Sequence, residues 1–291
     1  MPDPATTVTR VFLVGCPRSG TTLLQSLLAA HPRVLSFPES HFFTEGFGGS
    51  RMARLRKRLA GGRHLQRVFA HWLDQLAAKG IQPTRAVRPH WRRQAVIDQF
   101  TAQLDAWTRD AGKDVWIEKT PMHLDHIHQI APAVPGARFV HIVRDGRAVV
   151  ESLYRVTRRF PEQWGGPRSV ENCVAQWNRC LHLTLHYRND PAHHIVCYAA
   201  LIRDPEATLH AVCEFLDLDW QASMLQGAAG TAGDLILAGE AWKDGNREDG
   251  IVSHGLERFR QAFGADQRQA ISDALDLQGY AGLCPSAGPL P

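Results

Sequence analysis

Short apolar runs alternate with amphipathic stretches along this chain of 291 residues. Runs rich in β-branched or apolar side chains predict strands at residues 10–14, 34–37, 114–117, 138–143 and 194–198. Between them, apolar residues recur at steps of three and four, which predicts amphipathic helices with core tryptophans: Val96, Ile97, Phe100, Leu104 and Trp107, then Val170, Val174, Trp177, Leu181 and Leu185. This alternation predicts an α/β fold in which helices flank a central parallel sheet of about five strands.

Residues 41–112 separate the second and third predicted strands by far more than a usual α/β connection. We expect a helical insert there that forms a lid or an acceptor pocket. The insert contains a dense basic run, which favours a solvated helix face over a collar for anionic ligands: Arg51, Arg54, Arg56, Lys57, Arg58 and Arg63. Residues 1–291 are expected to form one domain, and residues 281–291 a flexible tail.

Composition and charge indicate which partners, which compartment and which cysteine chemistry to expect. A net charge of +4 and a pI near 8.8 suit a protein that holds a polyanionic ligand, but they are too small to predict nucleic acid as a partner. No apolar leader or long apolar span is visible, so we expect a cytoplasmic protein without an integral membrane segment. The six cysteines are scattered without a C-x-x-C pair, which favours reduced packing residues over a metal or redox centre. A homodimer is left open.

A loop of small residues, GCPRSGTT at 15–22, follows the first predicted strand and precedes a helical stretch. Such a loop aims backbone N–H groups and the positive end of a helix dipole at one point, which suits an anion. Gly15, Gly20 and Thr22 fit the nucleotide-binding pattern G-x-x-x-x-G-K-[ST], whereas Thr21 replaces its lysine. Phosphate binding is therefore favoured over ATP hydrolysis, and a tight turn with a helix cap is the structural alternative.

The string from Pro17 to Leu24, continued through His31-Pro32 to Pro38-Glu39-Ser40, resembles the donor loop of sulfotransferases that use 3′-phosphoadenosine 5′-phosphosulfate, PAPS. A second segment, RFVHIVRDGRAVVESLYR at 138–155, also resembles this family. The resemblance implies a P-loop-like nucleotide-binding fold and a 3′-phosphate held by Arg144 and Ser152. It also implies donor contacts from the loop, namely Arg18, Ser19, Gly20, Thr21 and Thr22. An arginine fork and a hydroxyl are suitable phosphate donors.

The spacing from Arg18 to Glu39 resembles that of the protein-tyrosine sulfotransferase branch. The resemblance implies that Glu39 is the catalytic base and that Arg18 assists the leaving group. Lys119, at the end of the third predicted strand, is the candidate for stabilising the sulfuryl or bridging oxygens, with a simple pairing to a carboxylate as the alternative. His41 and His123 remain rival bases.

Two further donor contacts are implied by the family's layout. Tyr198, at the end of the last predicted strand, is a candidate contact for the adenine, with a structural role as the alternative. Lys243 lies where related enzymes bring a late basic loop over the nucleotide, so it is a candidate ligand of the 3′-phosphate.

Together these features predict a sulfotransferase that moves a sulfuryl group from PAPS to a hydroxyl acceptor and releases the bisphosphate PAP, without a metal. The acceptor is expected to be a small molecule, such as an alcohol, a sugar, a lipid headgroup or a phenol. Two alternatives are kept: a Mg²⁺-dependent phosphotransferase of the nucleotide kinase type, for which Asp145 is the candidate carboxylate, and a noncatalytic nucleotide-binding protein.

Overall fold

The computed structural model describes residues 7–226 and 256–285. Within them lie the strands β1 (Thr9–Gly15), β2 (Val34–Phe37), β3 (Val115–Lys119), β4 (Ala137–Val143) and β5 (His193–Cys197). All five predicted strands are therefore present, with bounds that differ from the predicted ones by at most two residues. The predicted α/β class with a five-strand sheet is confirmed.

The sheet has the order β2-β3-β1-β4-β5, and every neighbouring pair is parallel. After β1 the chain forms the edge strand β2, returns to place β3 between β2 and β1, and then crosses to the other side of β1 for β4 and β5. The order thus reverses at β1. In open α/β sheets, ligands bind at the carboxyl ends of the strands on either side of such a reversal. Gly15 and the loop that follows it lie at this point.

Helices connect the strands and cover the sheet. Before β4 they are α1 (Thr21–Ala29), α2 (Phe42–Phe47), α3 (Arg51–Ala60), α4 (Gly62–Ala77), α5 (Arg93–Asp110), a 3-10 helix (Pro121–His126) and α6 (Ile127–Ala133). After β4 they are α7 (Gly146–Arg159), α8 (Pro161–Trp164), α9 (Val170–His186), α10 (Tyr198–Arg203), α11 (Pro205–Phe215), α12 (Ser223–Gln226), α13 (Glu257–Ala262), α14 (Ala265–Ala274) and α15 (Leu277–Leu283).

The central strand β1 is buried on both faces, as its continuous apolar run requires. Phe12 and Val14 face one hydrophobic cluster, and Val11 and Leu13 face the other, because side chains alternate along a strand. Burial on both faces fixes the register of β1 against β3 and β4. The position of the loop that leaves β1 is fixed with it.

The insert between β2 and β3 is helical, as predicted, and α2, α4 and α5 add an aromatic cluster to one core. Phe42 and Phe100 stack with ring centroids 4.2 Å apart, and Trp72 packs against Trp107 at 6.1 Å. Trp107 and Trp177 are buried, which confirms the packing role predicted for both. Helix α3 differs from its neighbours because none of its residues is buried.

The C-terminal part contains a disulfide that the sequence did not predict and corrects one expectation. Cys197 and Cys284 form the disulfide, whereas Cys16, Cys173, Cys180 and Cys213 are free and buried, as expected for most of the cysteines. The bonded pair was not predicted, because 87 residues separate its members and leave no local pattern in the sequence. The tail was expected from residue 281, but α15 continues to Leu283 and Cys284 is buried. No helix among the described residues is long and apolar enough to cross a membrane.

Candidate active site

The loop between β1 and α1 adopts a conformation that its sequence makes possible. Gly20 has a φ of 97° and precedes α1 without a side-chain cap, so the first amides of the helix are left for other acceptors. Arg18 has a φ of 74°, which is uncommon for a residue with a side chain. Such backbone strain is typical of ligand-binding loops. Thr21 and Thr22 begin the helix at the same end of β1.

Three arginines approach each other beside this loop. The Arg18 Nε donates to the Ser152 Oγ at 3.1 Å, and the Arg144 Nη1 donates a longer bond to the Arg18 carbonyl at 3.4 Å. Burial, together with the charges of Arg155 and Arg144, lowers the pKa of Arg18 to about 10. The guanidinium thus remains charged at neutral pH among other cations. An anion bound here would relieve their mutual repulsion.

Tyr198 and Gly20 fix the position of Arg144. The Arg144 guanidinium lies 4.3 Å from the centroid of the Tyr198 ring, a cation–π contact. On Gly20, a Cβ atom would lie 2.5 Å from a carbon of the same ring, so only glycine lets the loop approach so closely. The Trp177 Nε1 donates to the Arg144 carbonyl at 3.0 Å. The ring of Tyr198 therefore touches both candidate phosphate-binding elements, while its predicted contact with adenine stays a prediction.

One loop hydroxyl is buried without a partner. Ser19 is 1% exposed, and its Oγ has no hydrogen-bond partner among the described residues. A buried hydroxyl normally has one. Ser19 is among the residues predicted to bind the donor, and its unused hydroxyl fits an oxygen-rich ligand. Lys243, the other predicted contact, lies outside the described residues.

Glu39 and Lys119 meet at the carboxyl ends of β2 and β3. The parallel register pairs Phe37 with Glu118, so the residues that follow each strand are brought side by side. The Lys119 ammonium contacts the Glu39 Oε1, and both side chains are buried. The sequence left open a simple pairing of Lys119 with a carboxylate as the alternative to a catalytic role. This pairing is observed. The other carboxylate oxygen, Oε2, lies 3.4 Å from the Nε2 of the half-exposed His41.

A second buried carboxylate, Glu118, holds the segment that carries Glu39. Its Oε1 accepts hydrogen bonds from the Ser40 N–H at 3.0 Å, the Ser40 Oγ at 2.7 Å and the Thr120 Oγ1 at 2.6 Å. Burial opposes the charged form, but the His123 ring and these donors outweigh it and lower the pKa of Glu118 to about 2. The carboxylate therefore stays ionised and fixes the segment against β3.

His123 is one of the two rival bases, and its surroundings set it apart from His41. Its side chain has no exposed surface, and its Nε2 accepts a hydrogen bond from the Phe43 N–H at 3.1 Å. Its Nδ1 lies 2.9 Å from the Glu118 Oε2. Both ring nitrogens are therefore used within the protein, so His41 is the rival that faces Glu39.

Sequence reasoning missed the residues that support the site. Ser40 and Arg155 lie within the segments that resemble the family, but neither was given a role. Thr120 directly follows the Glu118-Lys119 pair that ends β3 and was not given a role either. Asp145 was weighed as a metal-binding carboxylate of a kinase. In the structure it accepts bonds from the Arg147 backbone N–H at 2.9 Å and from the Arg147 guanidinium at 3.0 and 2.6 Å. Its carboxylate therefore caps and braces α7.

We expect Glu118→Gln to lower the free energy of unfolding at neutral pH by about 1–3 kcal/mol, because an amide cannot accept all three hydrogen bonds. A folded-state pKa of about 2, below the ordinary 4.5, contributes stability that is complete above pH 4.5 and lost as the pH falls through 2. The difference between wild type and variant should therefore shrink over this range in urea unfolding. The exposed Glu214→Gln is the control, and an equal effect from it would contradict the role of Glu118.

Comparisons with known proteins agree with this geometry. A protein-tyrosine sulfotransferase of Drosophila melanogaster is 26% identical over 222 residues, which is 74% of this chain and 39% of the relative. The chain thus spans less than half the length of that relative. The sulfotransferase domain from the curacin biosynthetic pathway has a TM-score of 0.55 at 18% identity, covering 93% of this chain and 98% of that one.

A mouse sulfotransferase solved in complex with PAP has a TM-score of 0.50 at 12% identity, covering 94% of this chain and 83% of that one. At these identities the two structures support the fold alone. The model of a family described as "Sulfotransferase family" matches residues 10–222, well over half of the chain. The chain therefore belongs to the sulfotransferase family.

Proposed function

We propose that this family member is a sulfotransferase that takes its sulfuryl group from PAPS, transfers it to a hydroxyl acceptor and releases PAP. The observation that carries the proposal is the approach of two guanidiniums, Arg18 and Arg144, beside the loop after β1. Arg155 adds a third positive charge nearby, although it is paired with Glu151 at 2.7 Å. A ligand with phosphate at both its 3′ and 5′ positions would neutralise them at two points. The buried, unpartnered hydroxyl of Ser19 and the uncapped start of α1 also suit such a ligand.

The proposed contacts divide between the two ends of the donor. Arg144 and Ser152 hold the 3′-phosphate, and the loop residues Ser19 to Thr22 hold the 5′ side through backbone and hydroxyl groups. The Arg18 side chain bonds to Ser152 while its own backbone is part of the loop, so it connects both ends. Tyr198 supports Arg144 through the face of its ring.

The proposed reaction needs a base at the acceptor and positive charge at the leaving group. PAPS supplies an activated sulfuryl group on a phosphate oxygen. Glu39 accepts the proton of the acceptor hydroxyl as the new oxygen–sulfur bond forms and the bond from sulfur to the phosphate oxygen breaks. Arg18 and Lys119 stabilise the negative charge that remains on the phosphate and on the sulfuryl oxygens. No metal is required in this scheme.

The names of the relatives favour a phenolic hydroxyl, that of a protein tyrosine, as the first acceptor to test. Because the chain spans only part of those relatives, small phenols, alcohols, sugars and lipid headgroups remain in the panel. Mass spectrometry of acceptors incubated with the enzyme and PAPS distinguishes them, since sulfation adds a fixed mass. The Mg²⁺-dependent phosphotransferase is less favoured, because Thr21 stands in place of the lysine and Asp145 is bonded to Arg147.

We expect Glu39→Gln to lower turnover by about 10²–10⁴ while PAP binds almost as before, because an amide cannot take the proton. Turnover is measured as PAP release, and the melting temperature shows whether the loss of the partner of Lys119 has disturbed the fold. The exposed Glu45→Gln, on the neighbouring α2, is the matched control and should keep full activity. Full activity of Glu39→Gln together with inactivity of His41→Asn would transfer the role to His41.

We expect Arg144→Ala to weaken the binding of PAP by about 1–3 kcal/mol, as for the loss of a charge-assisted hydrogen bond. ADP lacks the 3′-phosphate, so its affinity should change much less. Calorimetric titration of wild type and variant with both nucleotides measures the difference. An equal loss for PAP and ADP would contradict the assignment of the 3′-phosphate to Arg144.

We expect Gly20→Ala to abolish detectable PAP binding, because the added Cβ would meet the Tyr198 ring at 2.5 Å and displace the loop. Gly112→Ala is the matched control. Gly112 also has a positive φ, 68°, but a Cβ there meets no atom within 4 Å. The control therefore carries the backbone strain without the clash and should bind PAP as the wild type does. Unchanged PAP binding by Gly20→Ala would show that the approach of loop and ring is not needed.

A further inference from the structure

Helix α3 displays an apolar stripe to solvent. Met52, Leu55 and Leu59 are 60%, 51% and 80% exposed. They stand three and four residues apart, so they share one face of the helix. Large apolar side chains that are this exposed and contiguous are unusual on a soluble surface and mark a contact site.

The opposite face of α3 attaches it to the protein. The Lys57 ammonium donates to the carbonyl of Gly48 at 2.9 Å and to that of Glu45, at the end of α2. Ala53 and Ala60, near Lys57 on the helix surface, are half-buried. The helix is thus anchored along one side and holds its stripe away from the body of the molecule.

A tryptophan extends the apolar surface. Trp91 is 73% exposed, and its carbonyl accepts a hydrogen bond from the Gly62 N–H at 2.7 Å, so it lies beside the junction of α3 and α4. The Arg63 guanidinium lies 3.8 Å from the Trp91 ring centroid. We call Met52, Leu55, Leu59 and Trp91 the apolar face.

Cations border the apolar face. Arg51 and Arg58 lie on one side of the stripe around the helix and Arg56 on the other, and all three are exposed. Arg54 and Arg63 add to this charge. The sequence contains no acidic residue between Glu45 and Asp74 to balance it. The surface therefore combines exposed apolar side chains with positive charges that no nearby acidic residue in the sequence offsets.

From this arrangement we propose that α3 and Trp91 dock the enzyme onto an anionic lipid surface. A helix lying in a membrane interface needs an apolar face that enters the acyl boundary and basic side chains that remain among the headgroups. Arginine side chains are long enough to do both, and tryptophan favours this interface. The cations on both flanks of the stripe complement a uniformly anionic plane better than a patchy protein surface. The proposal does not depend on the identity of the sulfuryl donor.

The apolar face lies in the insert between β2 and β3, the two strands whose carboxyl ends carry Glu39 and Lys119. Helix α2, to which Lys57 ties α3, begins at Phe42, directly after His41. Docking would therefore bring the bilayer to the part of the enzyme in which an acceptor is expected to bind. Acceptors that are lipids, or that are bound to a membrane, would then be present at high local concentration near Glu39.

The full chain is tested by sedimentation with vesicles of phosphatidylcholine alone and of phosphatidylcholine mixed with phosphatidylserine. We expect binding to the mixed vesicles that weakens as salt rises, and little binding to the neutral ones. The double variant Leu55→Ser/Leu59→Ser and the charge reversal Arg54→Glu/Arg58→Glu should each reduce binding about tenfold or more. None of these side chains is buried, so the melting temperature should not change.

The matched control is Arg109→Glu/Arg188→Glu, at two exposed arginines near the end of α5 and just after α9. It changes the net charge as much as Arg54→Glu/Arg58→Glu does and should bind vesicles like the wild type. An equal loss in the control would mean attraction by net charge alone and would overturn the assignment to α3. Absence of binding to the mixed vesicles would overturn the proposal outright. Concentration-dependent self-association that the Leu55→Ser/Leu59→Ser variant abolishes, without vesicle binding, would instead assign the face to a second copy of the chain.

Discussion

The buried contact between Lys119 and Glu39 is the interaction around which the candidate site is arranged. An ammonium that is almost completely removed from water requires an anionic partner, because an unpaired buried charge is strongly destabilising. The partner cannot come from the adjacent Glu118, whose carboxylate is engaged by Ser40 and Thr120. Glu39 is thereby held at one point beyond β2, with the Oε2 oxygen directed toward His41.

Two regions at the carboxyl edge of the sheet differ in how their charges are balanced. Beyond β2 and β3, two carboxylates are balanced by an ammonium and by hydrogen bonds within the protein. Beyond β1 and β4, Arg18 and Arg144 approach each other, and burial together with the charges of Arg155 and Arg144 lowers the pKa of Arg18, although the Glu151 carboxylate opposes this shift. The first region is balanced by groups of the protein, whereas the second keeps an excess of positive charge. In the proposed mechanism, the region beyond β2 and β3 positions the acceptor, and the region beyond β1 and β4 attracts the anionic donor.

Much of this was accessible from the sequence, for physical reasons. The inner strands β1, β3 and β4 are buried along most of their length, and their apolar runs were recognisable for that reason. The GCPRSGTT loop was recognisable because its small residues and its place before a helix suit an anion. The pairing of Cys197 with Cys284 was not predictable, since 87 residues separate them and only the packing of α15 brings them together. The role of Glu118 was hidden for a similar reason, because its partner Ser40 lies on another segment, 78 residues away.

The contact between Gly20 and Tyr198 has a consequence for how sequences of this kind can vary. The ring occupies the space in which a side chain at position 20 would lie, and the same ring supports Arg144. A larger residue in the loop is compatible only with a smaller one at the start of α10, and that exchange would remove the support of the arginine. The two positions are therefore expected to change together or not at all among related chains. An aligned set of relatives would display this as covariation between a loop and a helix that are far apart in sequence.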